Sequence, residues 1–277
     1  MRPSFSLIRF RSLRAVVCAF FAASTVLVMT SARAEAQVAR SDGGAKTDAQ
    51  PKVLVLFTVE GELDHYLFAQ QALRWIATHA VAAGYRYTAS NDWNLLSDAG
   101  LKDVQLVMWL NDQPHLPAQR EAFRRFIERG GAWMGFHVAG FIKADEPWPW
   151  YRNDFLAAGF RGNNWPSLPA RINVDDPTHP AVKGVPATFV SPITEWYSWK
   201  PSPRENPKVK VLLTLDPSNF PLGVKNMING GDVPVAWANT HYRMVYINYG
   251  HGDRIFTSPV LTSVLDNGVR WLLARKP

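Results

Sequence analysis

The stretch Gly130–Gly140, GGAWMGFHVAG, places His137 at the end of a hydrophobic run, with Gly135 two residues before it and Ala139 two after. Small residues at those positions relieve crowding in a tight strand-to-helix turn, the steric logic of a nucleophile elbow. A histidine held there can act as general acid, general base or metal ligand. It can equally be a hydrogen-bonded structural residue. Glu195, in TEWYSW, offers a general base, a metal ligand or an acceptor for sugar hydroxyls, or else a solvated carboxylate at a strand edge. His251 lies in NYGHGD, where glycines permit close approach of backbone to a ligand, although it also reads as a loop-tip histidine. His65 follows the first hydrophobic run near a helix start, where capping or solvation competes with a role in a site. His137, Glu195 and His251 could converge as a His/Glu/His set, sufficient for a divalent zinc-type cation. No H-E-x-x-H and no tight ligand spacing accompanies them, so the sequence identifies no cofactor.

Aromatic residues are the second chemical signal. The chain has 11 tryptophans. Trp148, Trp150 and Tyr151 stand beside two prolines in EPWPWYRNDF, and Trp165 and Trp196 follow. Aromatic faces near carboxylates suit the C–H faces and hydroxyls of pyranose rings, and such a loop next to His137 could form a lid. The competing use of large aromatics is to cover a sheet and fill its core. His179, between Pro177 and Pro180, reads as structural, as do His79 and His115.

Strands and helices must position these groups. KVLVLFT (52–58) is a continuous apolar run, the mark of a strand covered on both faces. Helical spacing follows over 64–84, ended by Gly84, and again over 116–131, with proline near its start and glycine at its end. Further strands are expected at 85–90, 104–110 and 132–136. Strands separated by helices imply parallel β-α-β units, hence a three-layer α/β/α sandwich with functional groups at the carboxyl ends of its strands. The second half reads as strands with short turns (171–176, 195–200, 208–216, 233–239, 243–250), an antiparallel extension of the sheet, and a closing helix over 259–276.

The N-terminus predicts export. A basic segment with Arg2, Arg9, Arg11 and Arg14 precedes the apolar run AVVCAFFAASTVLVM and an A-x-A site at Ala32 and Ala34. This is the pattern of a signal peptide over 1–34, cleaved near Ala34, with a flexible lead-in over 35–51 and one domain over 52–277. The expected location is periplasmic or secreted, with no stable membrane span after cleavage. The formal charge of +7 shrinks accordingly. Five of the 30 basic residues and none of the 23 acidic ones lie in the leader, leaving about +2, so a basic-patch argument for nucleic acid fails. Cys18, the single cysteine, also lies in the leader. The mature chain therefore has no disulfide, thiolate metal site or cysteine nucleophile.

Several segments together carry a family resemblance: KVLVLFT followed by Asp64-His65, GGAWMGFHVAG, DDPTHPAVKGVPATF, TEWYSW, VPVAW, YGHG and NGVRWLL. In this order, over about 52–274, the chain resembles the trehalose-utilisation (ThuA-like) family. The resemblance implies a flavodoxin-like fold similar to class I glutamine amidotransferases, with His137 at the position of their elbow cysteine. Amidotransferase chemistry does not carry over, because a histidine cannot form the thioester. What the resemblance implies is a role in sugar or glycoside use, with a small-molecule carbohydrate as partner. On this reading His137, Glu195 and His251 do acid–base work and the aromatics bind sugar. A non-catalytic carbohydrate-binding or assembly protein remains the alternative, and a homo-oligomer is left open.

Overall fold

Alternation at period two decides where each residue of the early strands points. In β1 (Lys52–Leu56), Val53 and Val55 enter one apolar core while Leu54 and Leu56 enter a second on the opposite face. The same division holds in β3 (Leu106–Trp109), where Leu106 and Met108 oppose Val107 and Trp109. It holds again in β4 (Ala132–Phe136), where Ala132, Met134 and Phe136 oppose Trp133. A strand buried on both faces has to be apolar throughout, which is why these runs carry no polar residue beyond the half-buried Lys52 that opens β1. Each fully buried valine, leucine or phenylalanine side chain contributes about 1.5–3 kcal/mol.

The computed structural model describes residues 50–224 and 228–274, all within one compact unit spanning Ala45–Pro277. The leader expected over 1–34, and nearly all of the lead-in expected over 35–51, lie outside the described residues. Helix α1 (Leu63–Ala83) ends at Gly84, whose φ of 76° is the left-handed cap that glycine adopts without strain. It covers the first core together with α3 (Pro259–Leu273), through Phe68, Ala72 and Ile76 on one and Leu261, Val264 and Leu265 on the other. Helix α2 (Pro117–Glu128) covers the second core through Phe123, Phe126 and Ile127. Among the described residues no helix is long and apolar enough to cross a membrane.

The remaining strands are β2 (Arg86–Ser90), β5 (Phe160–Asn163), β6 (Leu168–Val174), β7 (Thr188–Thr194), β8 (Tyr197–Trp199), β9 (Val209–Leu215), β10 (Pro234–Asn239) and β11 (Met244–Ile247). Nine of the strands form one sheet in the order β2-β1-β3-β4-β11-β10-β9-β6-β7, and β5 pairs with β8 apart from it. The first five in that order run parallel, and from β11 onward each pair is antiparallel. The expected α/β/α sandwich with an antiparallel extension is the observed fold, and its parallel half has the flavodoxin-like order. One late strand departs from expectation: β11 lies parallel to β4, with Ile247 opposite Phe136. That pairing brings the loop after β11 beside His137.

At the turn after β4, His137 has a φ of 35°, in the left-handed region that costs a non-glycine residue of order 1–3 kcal/mol. Buried phenols hold it there: Tyr246 Oη donates to the His137 carbonyl at 3.0 Å and Tyr151 Oη to the Ala139 carbonyl at 2.8 Å. The small residue that makes room for His137 is not Gly135, where an added Cβ would strike the Trp133 ring. It is Gly250, in the loop after β11, where an added Cβ would lie 2.4 Å from the His137 Cβ. Gly250→Ala should therefore lower stability by about 1–3 kcal/mol in urea denaturation, as overpacked cores do. Gly162→Ala, whose nearest neighbour would be 4.0 Å away, should be close to neutral. Equal stability of the two variants would refute the crowding.

Candidate active site

The parallel strands deliver their following loops to one rim of the sheet. The loop after β1 carries Glu62, and the first turn of α1 carries Asp64 and His65. The turn after β4 carries His137, and the loop after β11 carries Asn248 and His251. Glu195 arrives from the later half, in the link between β7 and β8. Asn111, after β3, binds the first loop to the rim: its side chain accepts from the Thr58 N–H at 2.9 Å and donates to the Thr58 carbonyl at 3.0 Å.

His137 Nε2 lies 3.2 Å from Glu195 Oε2. Its other ring nitrogen, Nδ1, lies 2.9 Å from the main-chain carbonyl of Asn248. A carbonyl can only accept, so Nδ1 carries a proton. Asn248 Nδ2 is 3.1 Å from that nitrogen but has a proper acceptor in the Glu195 carbonyl at 3.0 Å. The orientation of the ring therefore leaves Nε2 as the nitrogen that exchanges a proton with Glu195. The second carboxylate oxygen, Oε1, accepts from Asn163 Nδ2 in a short hydrogen bond. Burial pushes the His137 imidazole down in pKa, while Glu195 and the Asn248 carbonyl pull it up. A single mobile proton between Nε2 and Oε2 satisfies both groups.

Three imidazoles meet at this rim. The ring of His65 lies 5.2 Å from those of His137 and His251, and His137 and His251 are 5.6 Å apart. Like charges so close oppose protonation. His65 is pushed down to about 3, first by burial and then by His137 and His251. His251 Nε2 is 3.0 Å from Glu62 Oε1, and its Nδ1 is 3.2 Å from Ser167 Oγ and 3.4 Å from Asp64 Oδ2. Among the described residues, the donor atoms of Glu62, His65 and His251 lie within 4.8 Å of one another, a set able to hold a metal ion. The expected metal set of His137, Glu195 and His251 is not the one assembled, because His137 and Glu195 turn their donor atoms on each other.

Burial assigns the roles differently from expectation. The His137 side chain is fully buried, its ring 4.0 Å from that of Tyr197, so the turn does not aim it into open space. Glu195 is 15% exposed and is the member of the pair that a ligand can touch. Of the expected sugar-binding aromatics, Trp148 and Tyr151 do not reach the site. They stack on each other at 4.2 Å within the second core, beneath α2. Trp150 packs against Phe155 at 5.1 Å and donates to Tyr242 Oη. Trp196 is buried in the first core, its indole N–H on the Leu168 carbonyl. Trp165 is the most exposed of the five, 55% accessible, two residues from the Ser167 that contacts His251. A surface recess of about 1310 Å³, lined by Arg161, Asn163, Lys200 and Arg204, shares Asn163 with the Glu195 contact but is bordered by none of the histidines.

Sequence reasoning did not single out Glu62, Asn163 or Asn248. Glu62 had a legible signal, since it stands three residues before His65 at a helix start. The two asparagines had none.

The comparisons with known proteins agree with this architecture. No match was found among curated proteins. A ThuA-like protein from Bacteroides uniformis is 38% identical, with 82% of this chain and 93% of that one covered and a TM-score of 0.78. A ThuA-like protein from Parabacteroides merdae is 16% identical over 82% of this chain and 93% of that one, with a TM-score of 0.61, and shows the fold alone. So does a β-galactosidase from Bacillus circulans at 12% identity, 79% of this chain against 30% of that one, with a TM-score of 0.50. The family model for ThuA, trehalose utilisation, matches residues 52–272, and the chain belongs to that family.

Proposed function

We propose that this protein is exported and there binds and converts a carbohydrate by acid–base chemistry, with Glu195 as the catalytic residue and His137 as the residue that positions it. The observation that carries the reading is the 3.2 Å contact between His137 Nε2 and Glu195 Oε2 at the rim of the parallel strands. Membership of a family described by trehalose utilisation supports a sugar as the substrate class.

The chain's own groups account for the chemistry. Asn163 fixes one carboxylate oxygen, and the other faces the His137 imidazole. A sugar hydroxyl or glycosidic oxygen at the exposed edge of Glu195 would exchange a proton with the carboxyl. The imidazole would compensate on the buried side, since Nδ1 is anchored and Nε2 can give or take the proton. Trp165, 55% accessible, is the aromatic side chain against which a pyranose ring would pack. Full burial of His137 also favours a second reading, a binding protein in which the same pair only orients a carbohydrate.

With trehalose and other glycosides as substrates, Glu195→Gln should lower turnover about 10²–10⁴-fold while binding persists in calorimetry. Trp165→Ala should weaken binding by about 1–3 kcal/mol, the cost of losing a stacking platform of this size. Turnover undiminished in Glu195→Gln would eliminate the acid–base role. Saturable binding without product from any glycoside would decide for the binding protein. Export has its own check: N-terminal sequencing of protein recovered from a fractionated host should begin near Glu35 in the periplasm or medium. An intact Met1 terminus in the cytoplasm would reject it.

A further inference from the structure

We propose that Glu62, His65 and His251 form a binding site for one divalent cation of the zinc class, beside the His137–Glu195 pair. The inference goes beyond the acid–base reading and is tested without turnover.

The donor atoms are close to where such an ion would need them. All three lie within 4.8 Å of one another. His65 Nε2 is buried with no hydrogen-bond partner and stands 3.8 Å from Glu62 Oε2. A buried nitrogen without a partner carries a desolvation cost that a ligand would remove. His251 supplies an independent observation. Its Nε2 faces Glu62 at 3.0 Å and its Nδ1 faces Asp64 at 3.4 Å and Ser167 at 3.2 Å. A neutral imidazole has one N–H, so it can donate to only one of two carboxylates. With Nδ1–H given to Ser167, Nε2 turns its lone pair toward Glu62, the orientation a ligating imidazole needs. A cation between Nε2 and Glu62 would take the place of the hydrogen bond the two otherwise share. The arrangement also matches the carboxylate–histidine–metal relay that fixes the tautomer of a ligating histidine.

The scaffold holds the three donors from two directions. Glu62 and His65 are three residues apart at the start of α1, a spacing that places both on one side of the first turn. His251 is tied to the same turn by the Gly252 N–H on the Asp64 carbonyl at 2.9 Å, and to the later half by Thr194 Oγ1 on its own carbonyl at 3.1 Å. Two imidazoles and one carboxylate select zinc-type ions over magnesium or calcium, and leave a coordination position open. With the His65 ring 5.2 Å from that of His137, a cation held here would neighbour the pair without depending on it.

The test is calorimetric titration of the chelator-stripped, untagged protein with Zn²⁺, with metal content per chain measured in parallel. One equivalent should bind. Glu62→Gln, on a residue 59% exposed and so without burden on the fold, should weaken binding at least about tenfold, as should His251→Ala. Glu195→Gln should leave Zn²⁺ affinity within about twofold, separating this site from the acid–base pair. Circular dichroism verifies that each variant is folded. Absence of stoichiometric uptake, or uptake that Glu62→Gln and His251→Ala leave unchanged, would overturn the assignment.

Discussion

Asn248 is the constraint on which the rim depends. Its main-chain carbonyl takes the Nδ1 proton of His137, 111 residues earlier in the chain. Its side chain donates to the Glu195 carbonyl at 3.0 Å and accepts from the Tyr197 N–H at 2.8 Å. One residue therefore sets the orientation of the imidazole and the position of the segment that carries the carboxylate facing it. Asn248 is fully buried, so each of these polar atoms would be costly if left without a partner. Buried polar networks of this kind are specific because a half-satisfied version is worse than none.

The sheet supplies the frame for that network. β4 and β11 lie parallel and adjacent, so the turn carrying His137 and the loop carrying Asn248 and His251 leave the sheet side by side. The two apolar faces anchor the rim from below, and the second does so directly through Tyr151 and Tyr246. This explains the fate of the tryptophan-rich segment at 148–155. Its rings fill the core under α2, and its tyrosine holds the elbow. The aromatic content serves the site by fixing the turn that carries His137.

Much of the fold was legible because buried parallel strands must be apolar throughout and helices carry a 3.6-residue stripe. The runs at 52–58, 104–110 and 132–136 could hardly be anything else. The strands Phe160–Asn163 and Thr188–Thr194 escaped because both are partly exposed and weakly patterned; the first is only 4 residues long, and the second contains Pro192 at the sheet edge. In the site, His137, Glu195, His251 and His65 were legible as rare residue types at strand ends. Their pairing was not, since it depends on contacts across 58 to 189 residues. Gly250 shows the limit well: the space for His137 comes from a glycine 113 positions away, which local spacing around the turn cannot reveal. Composition likewise cannot separate an aromatic that stacks on sugar from one that fills a core, which is why Trp148 and Trp165 looked alike.

The central claim is that His137 is locked with Nδ1 protonated, so that Nε2 shares a proton with Glu195. The most direct measurement is the ¹⁵N NMR spectrum of the imidazoles in the folded protein, with His137 assigned by the signals missing from His137→Gln. The account predicts a pyrrole-type Nδ1 that persists in Glu195→Gln, and an Nε2 resonance that moves when the carboxylate is removed. A pyridine-type Nδ1, or an Nε2 signal indifferent to Glu195, would contradict it.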